Sequence, residues 1–365
     1  MVENYLVRGK FNASEGRILA SEGIFKGWEG KPKMNKSNKI KENTKTDDLP
    51  ATMDELFVVD QSRQQKKLMS YVPSFFTTAS LPFRNVNSPV FIRKGSNGIT
   101  LKLSAPENVP FGRYGRLLLS LFTTHAVLSK QKDCAVFIEY EKLLDLLNEL
   151  QLPKQRGKDI KEQLECFTNA SFAFEQKVRE QKSGYLFKEL YEDGDYPKSD
   201  VLVTTVSTGN IRFTTGVQYQ EIEDGSGTNK VGAFKIILSP EFASFCQAHA
   251  VPIDYTVYKD IDSPVGKDIY AWLVYRNNGM SEKEPIFIPR EKLVEQFMPV
   301  AENAHPKQHQ TNYSRILDHL KEIKMKYYPE VKISFDPNGG GITLYKSPTP
   351  VLKDDTRYAL ITSDI

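Results

Sequence analysis

The side chains best suited to chemistry stand together near position 310. Lys307, Gln308, Gln310, Thr311, Asn312, Ser314 and Arg315 fall within one short segment. An arginine forks onto the O6 and N7 of guanine. Glutamine and asparagine pair with the N6 and N7 of adenine. Hydroxyl, amide and ammonium groups bond phosphate oxygens. The chemistry of such a set is recognition of a nucleic acid rather than the breaking of a bond. Lys321, Lys324 and Lys326 follow at positions that fit the phosphate backbone, with Asp318 and Glu322 opposing them.

Catalytic constellations are sparse. His305 and His309 are four apart and share a helix face, but there is no HExxH and no third ligand, so no metal site is expected. Gly225 to Lys230 lacks the spacing of a phosphate-binding loop, and no GxGxxG opens a helix. No GxSxG elbow or Cys/His pair stands out. A DNA-nicking enzyme would carry a His-x-His strand, and His249 has no histidine two residues away. Glu221 to Asp224 reads as a solvated loop. The expectation is a non-catalytic protein without a cofactor.

The elements that must position the polar segment follow from periodicity. Tyr313, Ile316, Leu317, Leu320, Ile323 and Tyr327 recur at helical spacing, predicting a long helix over 305–327 with one buried side. Ahead of it come a helix over 263–276 opened by Ser-Pro, a short strand at Ile286 to Ile288, and a helix over 289–298. Behind it, Val331 to Phe335 and Ile342 to Tyr345 flank a glycine-rich turn, where Lys346 and Ser347 fit a phosphate contact. The same order occurs earlier: helix 110–129, strand at Phe137-Ile138, helix 140–150, helix 157–169, then β-rich segments. Lys154, Arg156, Lys158 and Lys161 cluster at the start of that earlier third helix and read as phosphate contacts, a weaker base reader or a solvated face, with Asp159, Glu162 and Glu165 among them. Arg113 and Arg116 on the first helix of that unit are read as surface charge, packing or backbone contact.

Helix, short strand, helix, helix, hairpin is the winged-helix form of the helix-turn-helix. The predicted fold is therefore α+β, with two tandem winged-helix domains and a β-hairpin (Val90–Ile92 with Ile99–Leu103) preceding the first. Residues 1–67 are a lysine-rich, mostly disordered tail, with a short helix over 54–69. Residues 68–254 form the first domain with a β-rich insert, 255–352 the second, and 353–365 a C-terminal tail. Phe75, Phe76, Leu81 and Phe83 read as a strand. Ile269, Trp272, Leu273 and Tyr275 read as core.

Composition bounds the class. The chain has 365 residues, 39% hydrophobic and 26% charged, enough apolar content for a core. No apolar run reaches the length of a membrane span, and the polar first residues are not a secretory signal. Three cysteines, Cys134, Cys166 and Cys246, form no CxxC pair, which points to a reduced, cytoplasmic protein. The net charge of +3 leaves any nucleic-acid contact to a local patch.

Several stretches carry a resemblance. They are Leu81-Pro82-Phe83-Arg84, Val109-Pro110-Phe111-Gly112 with Arg116 to Leu119, and Gly157 with Lys161 to Leu164. Leu238-Ser239-Pro240-Glu241-Phe242 follows, then Val251-Pro252-Ile253-Asp254 with Ser263-Pro264 and Asp268 to Arg276. Ile342 to Pro348 closes the set. In order and spacing, over residues 70 to 352, the chain resembles the RepA-type plasmid replication initiators. The resemblance implies a non-catalytic initiator that binds double-stranded origin DNA at direct repeats (iterons). It implies recruitment of the host replication initiator or helicase machinery, a copy-control role, and a homodimer that represses its own promoter while monomers bind the repeats. The alternative on the same residues is a winged-helix transcriptional regulator without an initiation role.

Overall fold

The computed structural model describes residues 67–361, leaving out 96–97, 130–133, 147–153, 184–199, 208, 224–228, 302–303 and 352–357. The lysine-rich tail lies outside the described residues apart from Lys67, as does most of the helix expected over 54–69. Where that helix was expected to end, the chain is instead strand β1 (Lys67–Pro73). The strand expected around Phe75 and Phe76 is a short helix, α1 (Ser74–Thr78). Its turn is closed locally. The Thr77 and Thr78 hydroxyls donate to the carbonyls of Ser74 and Phe75 at 2.6 and 2.8 Å, a bond that competes with a strand ladder.

The rest is a mixed α and β structure with open sheets. The expected hairpin forms as β2 (Val90–Lys94) and β3 (Ile99–Ser104). Next come α2 (Gly112–Leu128), β4 (Ala135–Glu139), α3 (Tyr140–Leu146) and α4 (Lys154–Asn169). The insert supplies β5 (Ser171–Ser183), β6 (Asp200–Ser207) and β7 (Asn210–Arg212). These strands join the N-terminal hairpin in one five-stranded antiparallel sheet, ordered β2-β3-β5-β6 with β7 on β5. Strands β8 (Thr214–Glu223) and β9 (Asn229–Leu238) then return to β4 in the order β4-β9-β8.

A connecting stretch follows: α5 (Pro240–His249), β10 (Ala250–Asp254) and α6 (Tyr255–Asp260). Ser239 and Asp254 cap the two helices, accepting from the N–H groups of Phe242 and Val257. The second group is α7 (Pro264–Asn278), β11 (Ile286–Pro289), α8 (Arg290–Phe297), α9 (Pro306–Glu322), β12 (Lys332–Phe335) and β13 (Gly341–Tyr345). Its sheet runs β11-β13-β12. First, third, second strand is thus the order in β4-β9-β8 and in β11-β13-β12 alike.

One apolar core runs through both groups, from Val72 to Ile361. Helices α2 and α7 are buried on nearly every side, as the runs Leu117 to Phe122 and Ile269 to Val274 require. Trp272 is 1% exposed and packs edge-on against Phe297 at 5.2 Å. Under the five-stranded sheet, Phe76, Phe172, Phe213 and Phe242 pack together with Phe174 and Phe245. The three cysteines are buried free thiols.

The two groups are fastened in the interior. Arg116 on α2 is 3% exposed and forks onto Asp268 on α7, Nε to Oδ1 at 2.6 Å and Nη2 to Oδ2 at 2.7 Å. Its remaining N–H groups reach the carbonyls of Leu81, Pro82 and Gly112 at 2.6 to 3.0 Å. Of the roles open to Arg116, the structure gives packing. Nearby, Arg93 lies over the Phe83 ring at 4.4 Å, and Gln296 of α8 donates to the Thr77 carbonyl at 3.2 Å. Lys267, fully buried, donates to the carbonyl of Tyr258.

The last described residues cross back to the first described strand. Asn277 holds Ser347 by two bonds of 2.7 Å, and the Tyr328 hydroxyl donates to the Pro348 carbonyl. Strand β14 (Tyr358–Leu360) then lies parallel to β1, with Ile361 fully buried and its N–H bonded to Met69. Removing one methyl there tests the strap. Ile361→Val is expected to cost about 1 kcal/mol in urea unfolding. An unchanged midpoint would mean that the strap is not part of the cooperative unit.

Candidate functional site

Helix α9 is set with one side in the core and the other in water. Tyr313, Ile316, Leu320 and Ile323 are each at most 3% exposed, as their spacing requires. Lys307, Gln308, Gln310, Thr311, Ser314, Arg315 and Lys321 are exposed. The helix begins at Pro306 after His305, whose Nδ1 accepts from the Lys307 N–H at 3.1 Å. It ends in a single π-helical turn, Ile323–Tyr327. The 305–327 helix of the sequence is thus an α-helix plus this wider turn. Lys326 pairs with Glu322 at 3.1 Å.

The β12–β13 turn is bound to this helix and to the start of α8. The Tyr313 hydroxyl donates to the Gly341 carbonyl at 3.2 Å, and the Arg290 N–H to the Gly340 carbonyl at 2.9 Å. Asp336 accepts from the N–H groups of Asn338 and Gly340 through separate oxygens. Two glycines are needed for the shape. Gly339 has φ +71°, and a Cβ on Gly341 would lie 2.2 Å from the Ile288 carbonyl oxygen. The turn is therefore tied both to α9 and to the first residue of α8.

Four of the expected contact residues are placed otherwise. Asn312 is 5% exposed; its Nδ2 donates to the Met298 carbonyl at 2.8 Å, and its Oδ1 accepts from Gln308 at 2.7 Å. It falls four residues before Ile316 and eight before Leu320, so it shares their buried side; that spacing was a readable signal. Lys324 is half-buried, with Nζ on the Ile333 carbonyl at 3.1 Å, joining the π turn to β12. Lys346 gives its Nζ to the Asn277 carbonyl at 2.6 Å. Ser347 is 4% exposed and bonded to Asn277. These groups hold the site's frame.

In the first group, Lys154, Arg156 and Lys158 lie in the opening turns of α4, and their side chains fall outside the described residues. Lys161 is half-buried and sits over the ring of Tyr219 on β8, 5.2 Å from its centroid. Gln163 on the same helix is 2% exposed and accepts from the Phe111 N–H at 2.7 Å, supporting the start of α2. Arg290 stands at the strand-to-helix junction, directly after Pro289, and is half-exposed. Among the described residues no cluster could hold a metal ion, and no helix is long and apolar enough to cross a membrane.

One buried titration touches the site. His319, on the inner flank of α9, has Nε2 3.3 Å from the Ser263 hydroxyl that caps α7. Burial pulls its pKa below the ordinary imidazole value, with Glu322 and Asp318 opposing, and burial does the same to His249. The neutral ring is the form the fold prefers. Its contribution is present above the unfolded pKa and is lost as pH falls below it. Urea midpoints are expected to drop between about pH 7.5 and about pH 5.5. His319→Asn is expected to flatten that drop; an equal drop in the variant would remove His319 from the cause.

No family model and no curated protein matches the chain. Among solved structures, a selenomethionine crystal structure of domains 2 and 3 of RctB aligns over 77% of this chain and 99% of its own, at 12% identity and TM-score 0.43. A second crystal structure of RctB domains 2–3 aligns over 73% and 92%, at 11% identity and TM-score 0.38. At that distance the likeness carries no weight for function.

Proposed function

We propose that the chain is a non-catalytic replication initiator that reads specific duplex DNA through two winged-helix units. The observation that carries this reading is the α9 surface. A helix held by its apolar side presents Lys307, Gln310, Thr311, Ser314 and Arg315 to solvent, next to a hairpin tip. In a helix-turn-helix the first turns of the recognition helix meet the base edges, so these residues stand where readout occurs. The helix–strand–helix–helix–hairpin order, with the same strand order in both groups, supports a pair of winged helices. The resemblance to RepA-type initiators supports the finer parts: direct repeats at a plasmid origin, recruitment of host replication proteins in the cytoplasm, and a dimer acting at its own promoter.

The test is selection from a random duplex library at near-physiological salt. The expected result is one enriched site whose affinity falls steeply with salt, with a slope near −0.9 per neutralised phosphate. No enrichment, with weak binding at every salt, would remove the DNA-reading function. A repeat array of the enriched site that maintains a plasmid with this gene alone separates an initiator from a regulator.

A further inference from the structure

We propose that Arg290 is a phosphate-contacting residue of this DNA face, held by Glu291 until a backbone phosphate takes the carboxylate's place. The inference rests on the duplex-binding reading above, and it concerns a residue outside the polar segment of α9.

Three observations place Arg290 there. Its N–H is bonded to Gly340 in the hairpin tip, so the residue is tied to one edge of the reading surface. Its side chain is 49% exposed and points its Nε at Glu291 Oε1, 2.8 Å away, with Glu291 66% exposed. Helix α8, which begins at Arg290, packs against α9, the recognition helix itself.

The acidic groups at this edge are accounted for. Asp336 spends both oxygens on the turn, accepting from Asn338 and Gly340. Glu291 is the carboxylate that faces Arg290. The Arg290 hydrogen bond holds Glu291 below the ordinary carboxylate range. An exposed pair between neighbouring residues is weak in water and screened by salt. A phosphate is a better match, because a guanidinium can donate to it through two parallel N–H groups. Glu291 then has two effects. It keeps Arg290 extended beside the tip, and it repels a phosphate that does not arrive in register. A carboxylate beside a phosphate contact thus lowers non-specific affinity more than specific affinity, which is a gain in discrimination.

The experiment is duplex affinity against salt for the full chain and its variants, on a selected site and on random duplex. Arg290→Ala is expected to weaken both duplexes about 3- to 10-fold and to lower the salt slope by about 1. Arg290→Lys should restore the slope and only part of the affinity. Glu291→Gln should raise affinity for random duplex by about 2- to 5-fold, with a smaller gain on the selected site. The hairpin is held by the Arg290 main chain, so thermal unfolding of all three variants should match the parent. Wild-type affinity and slope in Arg290→Ala, while Arg315→Ala loses binding, would overturn the contact and leave the DNA reading intact. Unchanged or lower affinity in Glu291→Gln would overturn the restraint. A parent chain with no salt-sensitive binding would instead overturn the reading on which the inference rests.

Discussion

Asp268→Ala is expected to lower the unfolding free energy by about 3–5 kcal/mol. The carboxylate is buried with Arg116, and its removal leaves a guanidinium at 3% exposure without a counter-charge. The three carbonyls of Leu81, Pro82 and Gly112 still accept from Arg116, yet two short N–H bonds to Asp268 are lost. The cost is that of stranding a charge, and it differs from the net worth of the pair. Replacing both partners with apolar residues, as in Arg116→Met with Asp268→Leu, should recover much of the loss, because neither ion then needs solvation. A small cavity of about 20 Å³, room for one water, adjoins the pair and gives the double variant some space. Urea unfolding of the single and double variants gives both numbers. A loss below about 1 kcal/mol for Asp268→Ala would show that water reaches the site and that the pair behaves as a surface contact. Because the pair joins α2 to α7, the same variant should also loosen the relation of the two groups, seen as faster amide exchange in both helices.

Arg315→Ala is expected to weaken binding to the selected duplex by about 5- to 150-fold and to relax its preference at one base pair. Arg315 is exposed on the same helix as Ser314 and Thr311. Its loss should not disturb folding. Lys321→Ala, on the same exposed side, is the contrasting variant. It should weaken all sequences about equally and lower the salt slope by about 1. Lys324→Ala is expected to act on stability rather than on base preference, because its ammonium holds the Ile333 carbonyl. A repeat of the library selection with Arg315→Ala is the decisive measurement. The same enriched site at the same strength would show that α9 does not read bases.

Much of the site's frame was legible from local pattern. Tyr313, Ile316, Leu320 and Ile323 announced the buried side of α9, and that side is where they lie. The glycines at 339–341 marked the tight turn, and the stretch Asp268 to Arg276 read as the core helix it is. Asn312 shows the limit of that reading. Chemistry assigned it to the DNA, while its phase relative to Ile316 and Leu320 assigned it to the core, and phase prevailed. A buried amide is tolerable at that position because Met298 and Gln308 satisfy it.

What the sequence determined by itself is the set of local elements around the site. The periods of 3.6 and 2 are properties of neighbouring residues, and so are caps such as Ser239, Asp254 and Ser263. What only the tertiary structure decided is which distant groups meet. The helix at Ser74–Thr78, the pairing of β1 with β10 and β14, and the union of the insert with the N-terminal hairpin depend on partners far along the chain. Arg116 and Asp268 are 152 positions apart, and nothing local distinguishes either from a surface charge. The same holds for Lys324 and Lys346, whose roles turn on a single carbonyl brought near by folding. A lysine or arginine has the same chemistry in any setting; burial and the partner within reach decide whether it supports the frame or faces the DNA.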